Sequence, residues 1–229
     1  MRTRRRRVGE GRVFADRQEA GRLLAARLTH LRTRDPVVLG LPRGGVAVAA
    51  VVARALGAPL DVLVVRKLGV PAQPELAMGA VGEEGVEVVD RALMAQVGVG
   101  QAQLEAVERR ERAVVRERAD RLRRGRPAVG LRDRLALVVD DGIATGSTAR
   151  AACEIARRRG AAEVVLAVPV MPAGAQDRLP EADQVVCVEA PGRMRSVGAS
   201  YRDFSPTTDD EVATLLSRSA VEGRGRREG

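Results

Sequence analysis

One stretch constrains this chain more than any other: Leu135–Thr148, which reads LALVVDDGIATGST. An unbroken apolar run of this length describes a strand buried on both faces. Two acids stand at its exit. A Gly-, Thr- and Ser-rich turn follows, and a helix is predicted from near Ser147 to about Arg159. A buried strand that feeds directly into a helix demands a parallel partner strand, so the chain must build a parallel sheet with helices on both faces.

The remaining sequence repeats that alternation. Helices are predicted over 16–32, 46–56, 101–124, 173–179 and from Asp209 to Leu216. Strands are predicted at Val37–Leu41, Asp61–Val65, Glu163–Val168 and Gln184–Val188, with a strand pair in 78–89 around a Gly82–Gly85 turn. The long helix at 101–124 carries a narrow apolar stripe among many charges, which reads as a solvated helix with one packed seam. The domain is expected to span 13–216, preceded by a basic arm at 1–12 and followed by a loose tail at 217–229.

The net charge of +9 in 229 residues invites a nucleic-acid reading, but its placement removes it. Residues 1–12 hold six Arg against one Glu, and 218–229 hold four Arg against two Glu, so the intervening body is nearly neutral. With only Phe14, Tyr201 and Phe204 as aromatics, a base-stacking surface is also excluded. His30 is the single histidine, which rules out His-rich metal sites. Cys153 and Cys187 lack metal-ligand spacing and read as a reduced pair. No apolar run suits a membrane span and no signal-peptide layout is visible, so a cytoplasmic protein is expected.

The turn at 140–148 carries the chemistry. Unpaired backbone N–H groups at the helix start, joined by the hydroxyls of Thr145, Ser147 and Thr148, form a cradle for a phosphate dianion. Gly146 allows close backbone approach. Asp140 and Asp141 stand where they can accept hydrogen bonds from a sugar diol, so one loop could hold both ends of a ribose 5-phosphate. Alternatives fail on their letters. Gly40 and Gly45 have the spacing of a Walker loop, but Val46 replaces its lysine, and no GxGxxG is present.

This string resembles the phosphoribosyl-diphosphate (PRPP) loop of type I phosphoribosyltransferases. LPRGG at 41–45 resembles their pyrophosphate loop, and VVRKLG at 64–69 resembles the next cationic strand exit. FADRQEAGRLLA at 14–25 and VGASYRDFSPTTDDEV at 197–212 resemble the two ends of a bacterial subgroup of that family. The resemblance implies an α/β, type I phosphoribosyltransferase-like parallel sheet with a small hood from the chain ends. It implies that Asp140 and Asp141 bind the ribose hydroxyls, directly or through Mg²⁺. Ala144, Thr145, Gly146, Ser147 and Thr148 would wrap the 5-phosphate. Arg43, Gly44 and Gly45 would contact pyrophosphate with a strained peptide at 43–44, and Arg66 and Lys67 would add charge there. Gly142 stands where the family usually has an aliphatic residue, which predicts a looser turn.

The implied reaction transfers ribose 5-phosphate from PRPP to a nitrogenous base, with Asp140, Asp141 and Lys67 as the residues nearest the chemistry. Residues 68–85 are a candidate cover against water. Ala144 replaces the acid that often faces a 6-oxopurine, and Tyr201 or Phe204 is expected to stack on the base. A homo-oligomer is expected, with no membrane or nucleic-acid partner. The alternative is a PRPP-binding regulator without turnover.

Overall fold

The computed structural model describes residues 13–225, with side chains to residue 219, so the expected basic arm and the last four residues lie outside the described part. The sheet is parallel throughout. Its strands are β1 (Val37–Gly40), β2 (Leu60–Val62), β6 (Leu135–Val139), β7 (Glu163–Val170) and β8 (Gln184–Glu189), in the order β2-β1-β6-β7-β8. Both β1 and β6 are buried at every residue, as continuous apolar runs require when helices cover both faces.

Alternation sorts those side chains. Val38, Leu137, Val139 and Val165 face a core shared with α1 (Arg17–Arg27), α2 (Gly44–Leu56), α4 (Gln101–Arg123) and α6 (Asp209–Gly225). Leu39, Val138, Leu166 and Val168 face the opposite way, onto Ala152, Cys153, Ile155 and Ala156 of α5 (Ser147–Arg158). Cys153 and Cys187 are free thiols, and burial pushes them up to about 12 and about 11.

Between β2 and β6 the chain builds a separate antiparallel sheet of β3 (Val65–Val70), β4 (Gln73–Gly82) and β5 (Glu87–Val89), followed by α3 (Arg91–Gln96). This divides the single strand expected at Asp61–Val65. The chain leaves the parallel sheet after Val62, where Asp61 turns back to accept hydrogen bonds from the Val62 and Val129 amides. Residues 68–85, expected as a cover, are mostly hairpin: its base packs on α4 and α5, while 71–75 at its tip and 84–85 at the following turn are exposed.

Three helix expectations change. The helix expected over 16–32 stops at Arg27, and a 3-10 helix at Thr29–Arg34 follows it. The segment 173–179 holds only a short 3-10 turn at Gln176–Arg178, because Gly174 takes a left-handed φ of 73°. The last helix continues past Leu216 to Gly225, since no Gly or Pro stands between Asp209 and Glu222 to stop it.

Candidate ribose-phosphate site

Two strand exits meet at the carboxyl edge of the sheet. β1 ends at Gly40, the Leu41 amide donates to the Val139 carbonyl at 2.9 Å, and α2 begins at Gly44. The peptide between Pro42 and Arg43 is cis, one bond before the expected irregular position. A Cβ on Gly44 would lie 1.9 Å from Asp141 Oδ2, and one on Gly45 would lie 2.8 Å from the Asp140 Cα. Only glycine lets the LPRGG loop close against the two acids.

Each acid is fixed by one oxygen and leaves the other open. Asp140 Oδ1 accepts the Asp141 amide at 2.8 Å. Asp141 Oδ2 accepts a hydrogen bond from Arg17 Nε at 2.9 Å and forms an ion pair with one of its terminal nitrogens at 2.8 Å. Asp140 Oδ2 and Asp141 Oδ1 have no hydrogen-bond partner among the described residues. Burial raises the Asp140 carboxyl above its ordinary range, and the adjacent Asp141 charge raises it further. Burial also raises Asp141, against the opposing pull of Arg17.

The Gly-, Thr- and Ser-rich turn follows within a few residues. Gly146, with φ of 84°, precedes the first residue of α5, Ser147. The amides of Ala144 to Thr148 find no acceptor among the described residues, and Thr145 Oγ1 lies 3.3 Å from Ser147 Oγ. Ala144, Thr145 and Thr148 are exposed. The arrangement offers an open row of donors beside two open acceptors. Gly142 does not loosen the turn: a Cβ there would fall 2.6 Å from Val197 and 2.9 Å from Val170, so a neighbour already fills the space of an aliphatic side chain. The Ile143 amide also ties the turn to the Val170 carbonyl at 2.9 Å.

The cations divide. Arg66 Nε donates to Glu111 of α4 at 2.9 Å, on the β3 face that also carries Leu68. Lys67 alternates to the other face with Val65, which packs in the α5 core. The expected joint action of Arg66 and Lys67 on one anion is therefore not what the fold presents. Lys67 is exposed without an ion pair among the described residues, while Arg66 serves Glu111. Arg43 is exposed at the start of α2. Arg118 of α4 shares the surroundings of Arg43 and Arg66: burial lowers its pKa, Asp209 opposes this, and those two arginines lower it further.

The aromatic expectation also changes. Tyr201 is 6% exposed and packs against Phe14 and Phe204, with ring centroids at 5.3 and 5.0 Å. Its hydroxyl donates to the Asp141 carbonyl at 2.5 Å. The Arg17 guanidinium lies 4.0 Å from the Phe204 centroid. Neither ring is presented as an open stacking platform: Tyr201 braces the acid loop, and Phe204 carries Arg17. The chain ends do meet here, with Phe14 and Tyr201 bridged in parallel and the Phe14 amide bonded to the Ser200 carbonyl at 2.8 Å. Arg17 is the residue beside the acids that sequence reasoning missed. Arg17 lies inside the FADRQEAGRLLA string, where it looks like any helix-start arginine.

Comparison with known proteins agrees with this geometry. Residues 15–202 match the model of the phosphoribosyl transferase domain. A Mycobacterium tuberculosis protein named "Putative phosphoribosyl transferase" is 53% identical over 208 residues, covering 90% of this chain and 47% of its own length. The chain thus spans about half the length of that curated relative. The crystal structure of the Thermus thermophilus protein TT1426 superposes with a TM-score of 0.82 at 46% identity, covering 90% of this chain and 98% of the other. With its parallel sheet, its paired acids and a domain match over most of its length, the chain belongs to the phosphoribosyl transferase family, with the type I α/β fold.

Proposed function

We propose that the protein transfers ribose 5-phosphate from PRPP to a small nitrogenous base and releases pyrophosphate. One observation carries this reading: two adjacent carboxylates, each with one oxygen anchored and one open, stand at the head of a row of unpaired amides. The open pair suits the two hydroxyls of a ribose, and the amide row with Thr145, Ser147 and Thr148 suits its 5-phosphate.

The base nitrogen forms a bond to ribose C1 while the bond from C1 to the pyrophosphate oxygen breaks. The electron pair leaves with pyrophosphate, and the nitrogen's proton passes to solvent. Positive charge develops on the sugar ring, as in glycoside cleavage. Holding the ribose at both ends fixes C1 in line with the incoming nitrogen. Arg43, exposed at the start of α2, and Lys67, exposed within β3, would supply cationic charge for the leaving group.

Among the described residues no group of three or more His, Cys, Asp or Glu could hold a metal unaided. Asp140 and Asp141 therefore fit Mg²⁺ as an ion that arrives with the substrate's oxygens. When bound, it would neutralise charge on the departing pyrophosphate.

Calorimetry with PRPP and Mg²⁺ tests the site, and a screen of free bases for pyrophosphate release tests the reaction. Wild type should bind PRPP, and Asp141→Asn should weaken binding by about tenfold or more. Unchanged affinity in Asp141→Asn and in Gly146→Val would remove the ribose-phosphate assignment.

A further inference from the structure

We infer that Arg17 is a positioning residue for the ribose: it sets the Asp141 carboxylate so that Oδ1, and not Oδ2, is offered to the sugar. The inference rests on the proposed PRPP reading. Arg17 is held from three sides. Its Nε and one terminal nitrogen converge on Asp141 Oδ2, and its other terminal nitrogen donates to the Ser205 carbonyl at 2.8 Å. Its planar face lies on the Phe204 ring. The side chain is only 12% exposed.

Such a group is a fixture and not a competitor for the substrate. Both of its contacts with Asp141, one hydrogen bond and one ion pair, end on the same oxygen, so they fix the carboxylate without consuming it. They also oppose the burial that raises the Asp141 carboxyl, and so favour the charged form, which accepts a hydroxyl hydrogen bond more strongly than a neutral acid does. Gly44 completes the fixture. Asp141 Oδ2 occupies the space of the missing Cβ, so the same oxygen is pinned between the LPRGG loop and Arg17. Tyr201 holds the backbone of the same residue through its carbonyl. Three segments distant in sequence therefore fix one carboxylate.

The fixture has a second side. Arg17 also lines a cavity of about 470 Å³ with Ala47 of α2, Ser205, Thr207 and Thr214. The substrate-facing acid and this cavity are thus separated by a single side chain.

The test compares ligands with and without the diol. Calorimetry on the full chain with Mg²⁺ would use PRPP, ribose 5-phosphate and inorganic pyrophosphate, against wild type, Arg17→Gln and Arg17→Lys. Arg17→Gln should weaken PRPP and ribose 5-phosphate by roughly tenfold or more, leaving pyrophosphate within about twofold. Arg17→Lys should recover part of the loss, since one ammonium still reaches Oδ2 but cannot span to Ser205. Unchanged PRPP affinity in Arg17→Gln would overturn the assignment. So would tighter binding, which would make Arg17 a brake, or equal losses for all ligands, which would make its role merely structural. Failure of wild type to bind PRPP would overturn the functional reading as well.

Discussion

Among the arginines that pair with carboxylates in this molecule, Arg123 and Arg17 form a contrast that separates framework from site. Arg123 lies in the interior, where its Nε meets Asp61 Oδ1 at 2.8 Å, one terminal nitrogen pairs with Glu83 Oε2, and the other reaches both the Val62 carbonyl and Glu83 Oε1. Backbone amides of Val62, Val64 and Val129 take further places on the same two acids. Every carboxylate oxygen in that cluster has a partner. Arg17 and Asp141 form an equally close pair at the edge of the sheet, yet there one carboxylate oxygen remains open. A saturated ion cluster can only hold the fold. An unsaturated one, fixed just as firmly, keeps binding capacity for something else.

Substitutions can break that contrast. Arg123→Ala strands two buried acids and should destabilise the protein by about 3–5 kcal/mol in urea unfolding. A loss below about 1 kcal/mol would mean that the cluster is not framework. Gly44→Ala attacks the open pair instead. Its methyl displaces Asp141 Oδ2, so PRPP affinity should fall by about tenfold to a hundredfold, with a stability cost of about 1–3 kcal/mol. A variant that binds normally would show that the acid need not be fixed.

The smallest effect concerns Asp140, whose carboxyl is raised by burial and by Asp141. A carboxyl with a folded pKa above its unfolded value is favoured at low pH, and stability declines as pH rises through the folded value. Asp140→Asn removes that decline. It should therefore gain melting temperature relative to wild type at pH 8 more than at pH 4, while losing affinity for PRPP. An equal shift at both pH values would indicate that Asp140 carries its charge without cost.

Much of this is legible where local sequence dictates structure. The β6 strand is the apolar run Leu135–Val139, and the turn after it follows from its acids, glycines and hydroxyls. Gly44 and Gly45 are recognisable as a loop, but the reason for them, the close approach of Asp140 and Asp141, belongs to another strand. What stays hidden depends on distance along the chain. Arg17 meets Asp141 across 124 residues, and no local pattern marks either as the other's partner. Arg66 and Lys67 are adjacent letters that a strand sends to opposite faces, and only the position of Glu111 shows which way each goes. Tyr201 reads as an open ring because a sequence does not reveal that Phe14 arrives from a distant segment to cover it.

The clasp between Phe14 and Tyr201 bears on how the protein matures during synthesis. Arg17 leaves the ribosome early, but the Ser205 carbonyl that holds it emerges 188 residues later, together with Phe204. The turn at 140–148 is therefore synthesised well before the segment that braces Asp141. The support for Asp141 is thus complete only after that late segment has been made.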